Sequence, residues 1–178
     1  MRRLGRRLSM TGMGIAVVAI LALGLLGLVL RRSGGAYLTF RGKRVVACPE
    51  TKQHAAVELA AGRAALTAVF GEPTLRLRDC SRWSERGPCG QDCLQQIEAA
   101  PEECLLRTIL TNWYREKECA CCGRPIGEIN WVQHKPCLMS PDLRICAWKD
   151  FRPEHIPHAL ETYRPVCWNC LIAETHTW

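Results

Sequence analysis

The chain has 178 residues, twelve cysteines and a formal net charge of +7, from 24 lysines and arginines against 17 acidic residues. Four of those bases, Arg2, Arg3, Arg6 and Arg7, precede a long apolar run, so the rest of the chain is close to neutral and carries no phosphate-binding stripe. The balance predicts no nucleic-acid partner, and the familiar catalytic patterns G-x-S-x-G, P-loop and HExxH are missing from the sequence.

Residues 10–30 (MTGMGIAVVAILALGLLGLVL) are 21 positions without a charge, enough to cross a hydrocarbon core of ~30 Å as a helix. Gly12, Gly14, Gly24 and Gly27 weaken a soluble helix but are common in membrane helices. A cleavable signal has a shorter apolar stretch followed by a small-residue site. This run ends instead in Arg31-Arg32 and reads as an uncleaved, single-pass anchor. Arg31, Arg32, Arg41, Lys43 and Arg44 nearly match the basic residues before it. A short tail of four arginines is hard to move across a membrane, whereas a long domain translocates largely regardless of charge. The expectation is a cytoplasmic N-terminus and an extracytoplasmic domain.

Residues 31–35 (RRSGG) read as a short tether. Two β-prone runs, 37–40 and 44–47, flank Arg41-Gly42-Lys43 and predict a hairpin. Cys48-Pro49-Glu50-Thr51 reads as a turn. Ala61, Ala64, Ala65 and Ala68 recur at helical spacing, Gly71 and Pro73 stop that helix, and residues 55–59 before it lean toward a strand. Residues 74–78 alternate apolar and basic like a half-buried strand. The stretch 80–90, with Pro88 and two glycines, is expected to be irregular, and residues 91–99 and 101–115 read as two helices. Pro101 suits a first helical position, with Glu102 and Glu103 behind it. The last 60 residues predict, in order, a knuckle, a strand at 126–134, a turn, a strand at 144–149, a Pro-rich loop at 151–165, a second knuckle and a short helix. Five of the six tryptophans lie from Trp113 onward, as a small metal-stapled core requires.

The cysteines carry the chemistry. Cys119 and Cys122 form one CxxC pair and Cys167 and Cys170 another, separated by 44 residues. Four thiolates in two such pairs suit a tetrahedral Zn²⁺, since a two-residue spacer lets both sulfurs reach one ion. Disulfides or another metal are the alternatives. Cys121 falls outside the two-residue frame. Cys137 and Cys146 flank the turn Ser140-Pro141-Asp142-Leu143. With Pro141 and Asp142 as a two-residue loop they face each other and can bridge, whereas a three-residue loop slips the register and separates them. Cys80, Cys89, Cys93 and Cys104 match no standard zinc or ferredoxin spacing. Two disulfides stapling a helical hairpin, with Cys93 meeting Cys104, are the plainer reading. A second metal or cluster site that includes Cys48, or redox thiols, are the others. His54, His134, His155, His158 and His176 read as surface or capping residues.

The residues Cys119, Cys122, Gly123, Cys167 and Cys170 resemble the treble-clef group of zinc modules. There a CxxCG knuckle, a hairpin and a second CxxC opening the final helix enclose the ion. The resemblance covers only about the last 60 residues and implies a structural zinc site, without an activity. The whole is expected to be an α+β protein. It comprises a basic tail (1–9), a transmembrane anchor (10–30), a tether (31–35), a cysteine-rich mixed region (36–118) and a treble-clef-like zinc module (119–178). The function expected is that of a membrane-anchored, zinc-stabilised binding or accessory protein whose partner is a protein in or near the membrane. The alternative is a membrane-anchored thiol-redox or metal-transfer protein working through its CxxC cysteines.

Overall fold

The computed structural model describes residues 2–85 and 89–175, with side chains from Gly14 to Glu174; Pro88 and His176 lie outside the described residues. The chain divides into two compact units, Met1–Arg41 with Ala60–Arg76, and Gly42–Leu59 with Leu77–Trp178.

In the first unit a single helix, α1, runs over Arg2–Phe40. Its stretch Gly14–Phe40 is 27 residues long and apolar enough to cross a membrane. Ile15, Val18, Ile20, Leu21 and Leu23 are each about two-thirds exposed. The helix continues through residues 31–35, so the expected tether is helical. Extending a nucleated helix gains a hydrogen bond for each residue fixed. That offsets the ~1 kcal/mol each that Gly34 and Gly35 cost. Residues 37–40, expected as a strand, form its last turn, where the Arg41 amide donates to the Tyr37 carbonyl at 3.0 Å. The alanine-rich helix α2 (Ala61–Thr67) packs on α1, with Ala61 and Ala64 buried. It stops at Thr67, whose hydroxyl bonds the Ala64 carbonyl and accepts the Thr74 amide at 2.8 Å.

The second unit holds two antiparallel three-stranded sheets. The first contains β1 (Lys43–Ala47), β2 (His54–Leu59) and β3 (Leu77–Cys80) in that order. The hairpin expected before residue 47 forms after it: β1 pairs with β2 from Lys43↔Glu58 to Ala47↔His54. Ala55, Val57 and Leu59 point inward from β2, the alternation of a half-buried strand. Arg44 of β1 is fully buried; its guanidinium donates to the carbonyls of Gly42 and Pro101 at 3.2 and 3.4 Å. The helices after it start later than expected, α3 at Leu94–Ala99 and α4 at Leu106–Tyr114. Pro101 opens a turn rather than a helix, because residues 101–105 lie along the edge of β1. There the Val45 amide donates to the Cys104 carbonyl at 2.9 Å, and Arg44 bridges Leu105.

In the second sheet β4 (Cys137–Met139) lies between β5 (Ile145–Cys146) and β6 (Arg164–Val166). The strand expected at 126–134 is irregular, joined only by isolated bridges such as Asn130↔His134. The expected loop at 151–165 instead contains α5 (Ile156–Thr162) and β6. Pro157 falls in the first turn of α5, where a missing amide hydrogen costs nothing. The 3₁₀ turn Pro153–His155 packs on β1 and β2, so this part of the unit rests on the first sheet. The final helix, α6, spans Trp168–Thr175. The core is aromatic, as the late tryptophans foretold. Tyr114, Leu138 and Ala159 are buried, with Trp113, Trp131, Trp148, Phe151 and Tyr163 around them. Rings meet edge to face, Trp113 on Tyr114 at 4.8 Å and Phe151 on Tyr163 at 5.3 Å. The Tyr114 hydroxyl donates to the Cys137 carbonyl at 2.6 Å, joining α4 to β4.

Candidate metal centre

Cys119 and Cys122 sit in a turn before the second sheet, and Cys167 and Cys170 at the start of α6. Backbone bonds close the first turn: the Cys119 amide donates to the Arg124 carbonyl and the Gly123 amide to the Cys119 carbonyl, at 2.8 and 2.9 Å. Gly123 has φ +67°, a left-handed turn that a side chain resists. The Ala120 amide donates to the Pro165 carbonyl at 2.8 Å and so ties this turn to β6, which leads straight into Cys167. Chain segments 44 residues apart are thereby brought together, and all four sulfurs lie within 4.8 Å of one another.

The spacing fits one ion. Four sulfurs each ~2.3 Å from zinc form a tetrahedron with edges of about 3.8 Å. Cys119 Sγ stands 3.8 Å from Cys170 Sγ, and Cys122 Sγ 3.9 Å from Cys167 Sγ. The Cys167 amide points at Cys119 Sγ at 3.3 Å. Burial resists ionisation of Cys119, but the amides of Cys167, Cys122 and Cys121 outweigh it and hold its thiol down at about 6. Cys167 and Cys170 are pushed the other way, first by burial and then by neighbouring thiols that ionise more readily. The Cys119 thiolate forms readily while Cys167 and Cys170 resist, and a cation bound among them would offset that resistance. Cys119 is buried in one cluster with Cys137 and Val166. Cys121 is exposed and outside the group, as the spacing argued.

The other expected residues fall differently. All twelve cysteines are free thiols, and none stands at disulfide distance from another. Cys137 does not face Cys146: β4 pairs Leu138 with Cys146 and Met139 with Ile145, while Cys137 lies opposite Val166. The hairpin has the three-residue loop 141–143, with Leu143 at φ +62°, and so slips by one residue. Cys104 does not meet Cys93. Its sulfur faces the Gln96 carbonyl at 3.7 Å, whereas Cys93, Cys80 and Cys89 line one cavity with Cys48. Burial and then the thiols of Cys80, Cys89 and Cys48 push the Cys93 thiol up to about 11. His54 and His155 stand exposed, and His158 is paired with Glu161 at 3.9 Å. His134 lies outside the four-sulfur group, and its ring lies edge-on to Trp168 at 5.9 Å. A cleft of about 270 Å³ opens beside Cys167, walled by Ile126, Ile129, His134 and Trp168.

Arg44 was missed in the sequence because arginine within a β-prone run reads as solvated; only its place next to Val45-Val46 hinted at burial. Comparison with protein-family models, with curated proteins and with solved structures finds no match.

Proposed function

We propose that this chain is a single-pass, membrane-anchored accessory protein whose C-terminal module is held by one structural Zn²⁺ in a treble-clef-like arrangement. The observation that carries the reading is the closed set of four sulfurs within 4.8 Å, with no fifth protein ligand among the described residues and an amide donor on Cys119. A catalytic zinc keeps one position for water or substrate, whereas four cysteines close the sphere. The order of a CxxCG turn, the β4–β5 hairpin and a CxxC at the start of α6 supports the treble-clef assignment. The bare apolar surface of α1 supports the anchor, because side chains such as Leu21 and Leu23 would otherwise face water. The partner we propose is a protein in or beside the same membrane, docked at the cleft between Ile129 and Trp168. The orientation proposed places the N-terminus in the cytoplasm.

The test is metal analysis of the full chain purified in detergent, with membrane extraction alongside. Zinc that survives mild chelation, no reversible Cys119–Cys122 disulfide, and protein that resists carbonate wash are expected. Metal-free protein in which a CxxC pair cycles between dithiol and disulfide would instead establish the redox reading. Photo-crosslinking from Ile129 in intact membranes should trap a membrane protein, and the product should vanish in Trp168→Ala.

A further inference from the structure

The cavity under the first sheet is walled by four more cysteines: Cys48, Cys80, Cys89 and Cys93. They come from separate places. Cys48 follows β1, Cys80 ends β3, Cys89 lies in the loop beyond it, and Cys93 immediately precedes α3. Two glutamines fix these segments on one another. The Gln96 side chain donates to the Ala47 carbonyl and accepts the Ala47 amide, at 2.7 and 3.1 Å, which sets Cys48 against α3. The Gln91 side chain accepts the Leu77 amide at 3.1 Å, which sets the Cys89 loop against β3.

We propose that these four residues form a second thiolate centre, for one soft divalent ion of the zinc class, independent of the Cys119 site. Three observations carry this beyond a cluster of thiols. First, Cys48 repeats the local geometry of Cys119. Its amide donates to the Gln53 carbonyl and the Lys52 amide donates to its carbonyl, both at 2.8 Å, the same two bonds that Cys119 makes with Arg124 and Gly123. A turn of this form is what presents the Cys119 sulfur to the first site. Second, Arg82 lines the cavity, and its Nε–H is buried with no acceptor. Four thiolates about a divalent ion leave a net charge of −2, which such a donor would answer. Third, the space suits a single ion. The room inside is about 30 Å³, and its walls are mainly apolar, including Val46, Ala55 and Trp83. A soft thiolate-bound ion suits such a site better than hydrated Mg²⁺ or Ca²⁺. Among the described residues only the Cys119 set draws its ligand atoms within 4.8 Å, so binding at the second set requires its thiols to turn inward by side-chain rotation.

The experiment is metal counting on full-length protein, purified in detergent under reducing conditions, followed by Co²⁺ replacement. Two zinc ions per chain are expected. Cys170→Ser should keep one, and its Co²⁺ form should still show the visible and thiolate charge-transfer bands of a tetrahedral sulfur site. Cys80→Ser should lose the second ion and keep the first; Cys89→Ser, on a loop, gives the same answer should Cys80→Ser fold poorly. Cys104→Ser, outside the set, should leave the count at two. One zinc per chain unaffected by Cys89→Ser, an iron–sulfur absorption, or disulfides among these four cysteines in unreduced protein would each overturn the proposal. The Cys119 site and the accessory role do not depend on its outcome.

Discussion

Single side chains in the second unit illustrate how burial decides chemistry. Tyr114 is 1 % exposed, and its hydroxyl answers the Cys137 carbonyl. Tyr114→Phe keeps the ring contacts and leaves that carbonyl unpaired. A loss of ~1–2 kcal/mol on denaturant unfolding is expected; an unchanged midpoint would contradict the bond. Beside it, burial pushes the Cys137 thiol up to about 11 from an ordinary value near 9, and drives Tyr114 up as well. Because the folded pKa lies above the unfolded one, the stabilisation is complete below pH 9 and drains away as pH climbs through 11. Thermal melts should therefore fall in that window, and Cys137→Ala should flatten part of the fall; melts flat to pH 11 in the parent protein would refute this. Cys137 stands out in the sequence only as a candidate bridge to Cys146, and Tyr114 does not stand out. Tyr114 sits on a helical period that predicts burial, but its hydroxyl's partner lies 23 residues away and is set by the packing of α4 on β4. Arg44 is harder still, since the Pro101 carbonyl that accepts from its Nε reaches it only once the 101–105 segment has docked.

At the level of elements, patterns with a local cause were legible and those with a tertiary cause were not. The alanine spacing of α2, the strand at 55–59 and the CxxC pairs each follow from neighbours in sequence. The start of α4 does not: Pro101 and two glutamates signal a helix, and a β1 edge captures them first. Hairpin register is a middle case, in which loop length decides and the sequence left two lengths open. The three-residue loop places Leu143, 69 % exposed, at φ +62°. That conformation costs a non-glycine residue ~1–2 kcal/mol, and glycine's greater unfolded entropy returns part of it. Leu143→Gly is expected to raise stability by about 0.5 kcal/mol in denaturant titration, and a clear drop would argue for the two-residue loop. The metal element has the larger stake. Cys170→Ser should release the zinc proposed for that site and melt β4–β6 with α6, read as lost near-ultraviolet tryptophan dichroism, because binding and folding of such modules are coupled. Retained metal and an unchanged spectrum would dismiss the site.

Across the whole molecule the contrast lies between a first unit with almost no core and a second unit that holds the cysteines in place. Composition pointed to an apolar helix long enough to span a membrane, because residues 10–30 carry no charge, but it could not give the helix's end. The unbroken course of α1 to Phe40 has a mechanical consequence. A flexible tether would transmit only distance; a helix also transmits rotation. Each residue added to it advances the far end by ~1.5 Å and turns it by about 100°. Insertions between residues 30 and 36 should therefore act by phase rather than by length. One added alanine swings the exit at Phe40 to a new face, whereas seven, close to two full turns, nearly restore it. Crosslinking from Ile129 to the membrane protein proposed as partner should fail with one inserted residue and return with seven. A steady decline with length would show that the stem behaves as a string, and α1 would have to break near Gly34-Gly35.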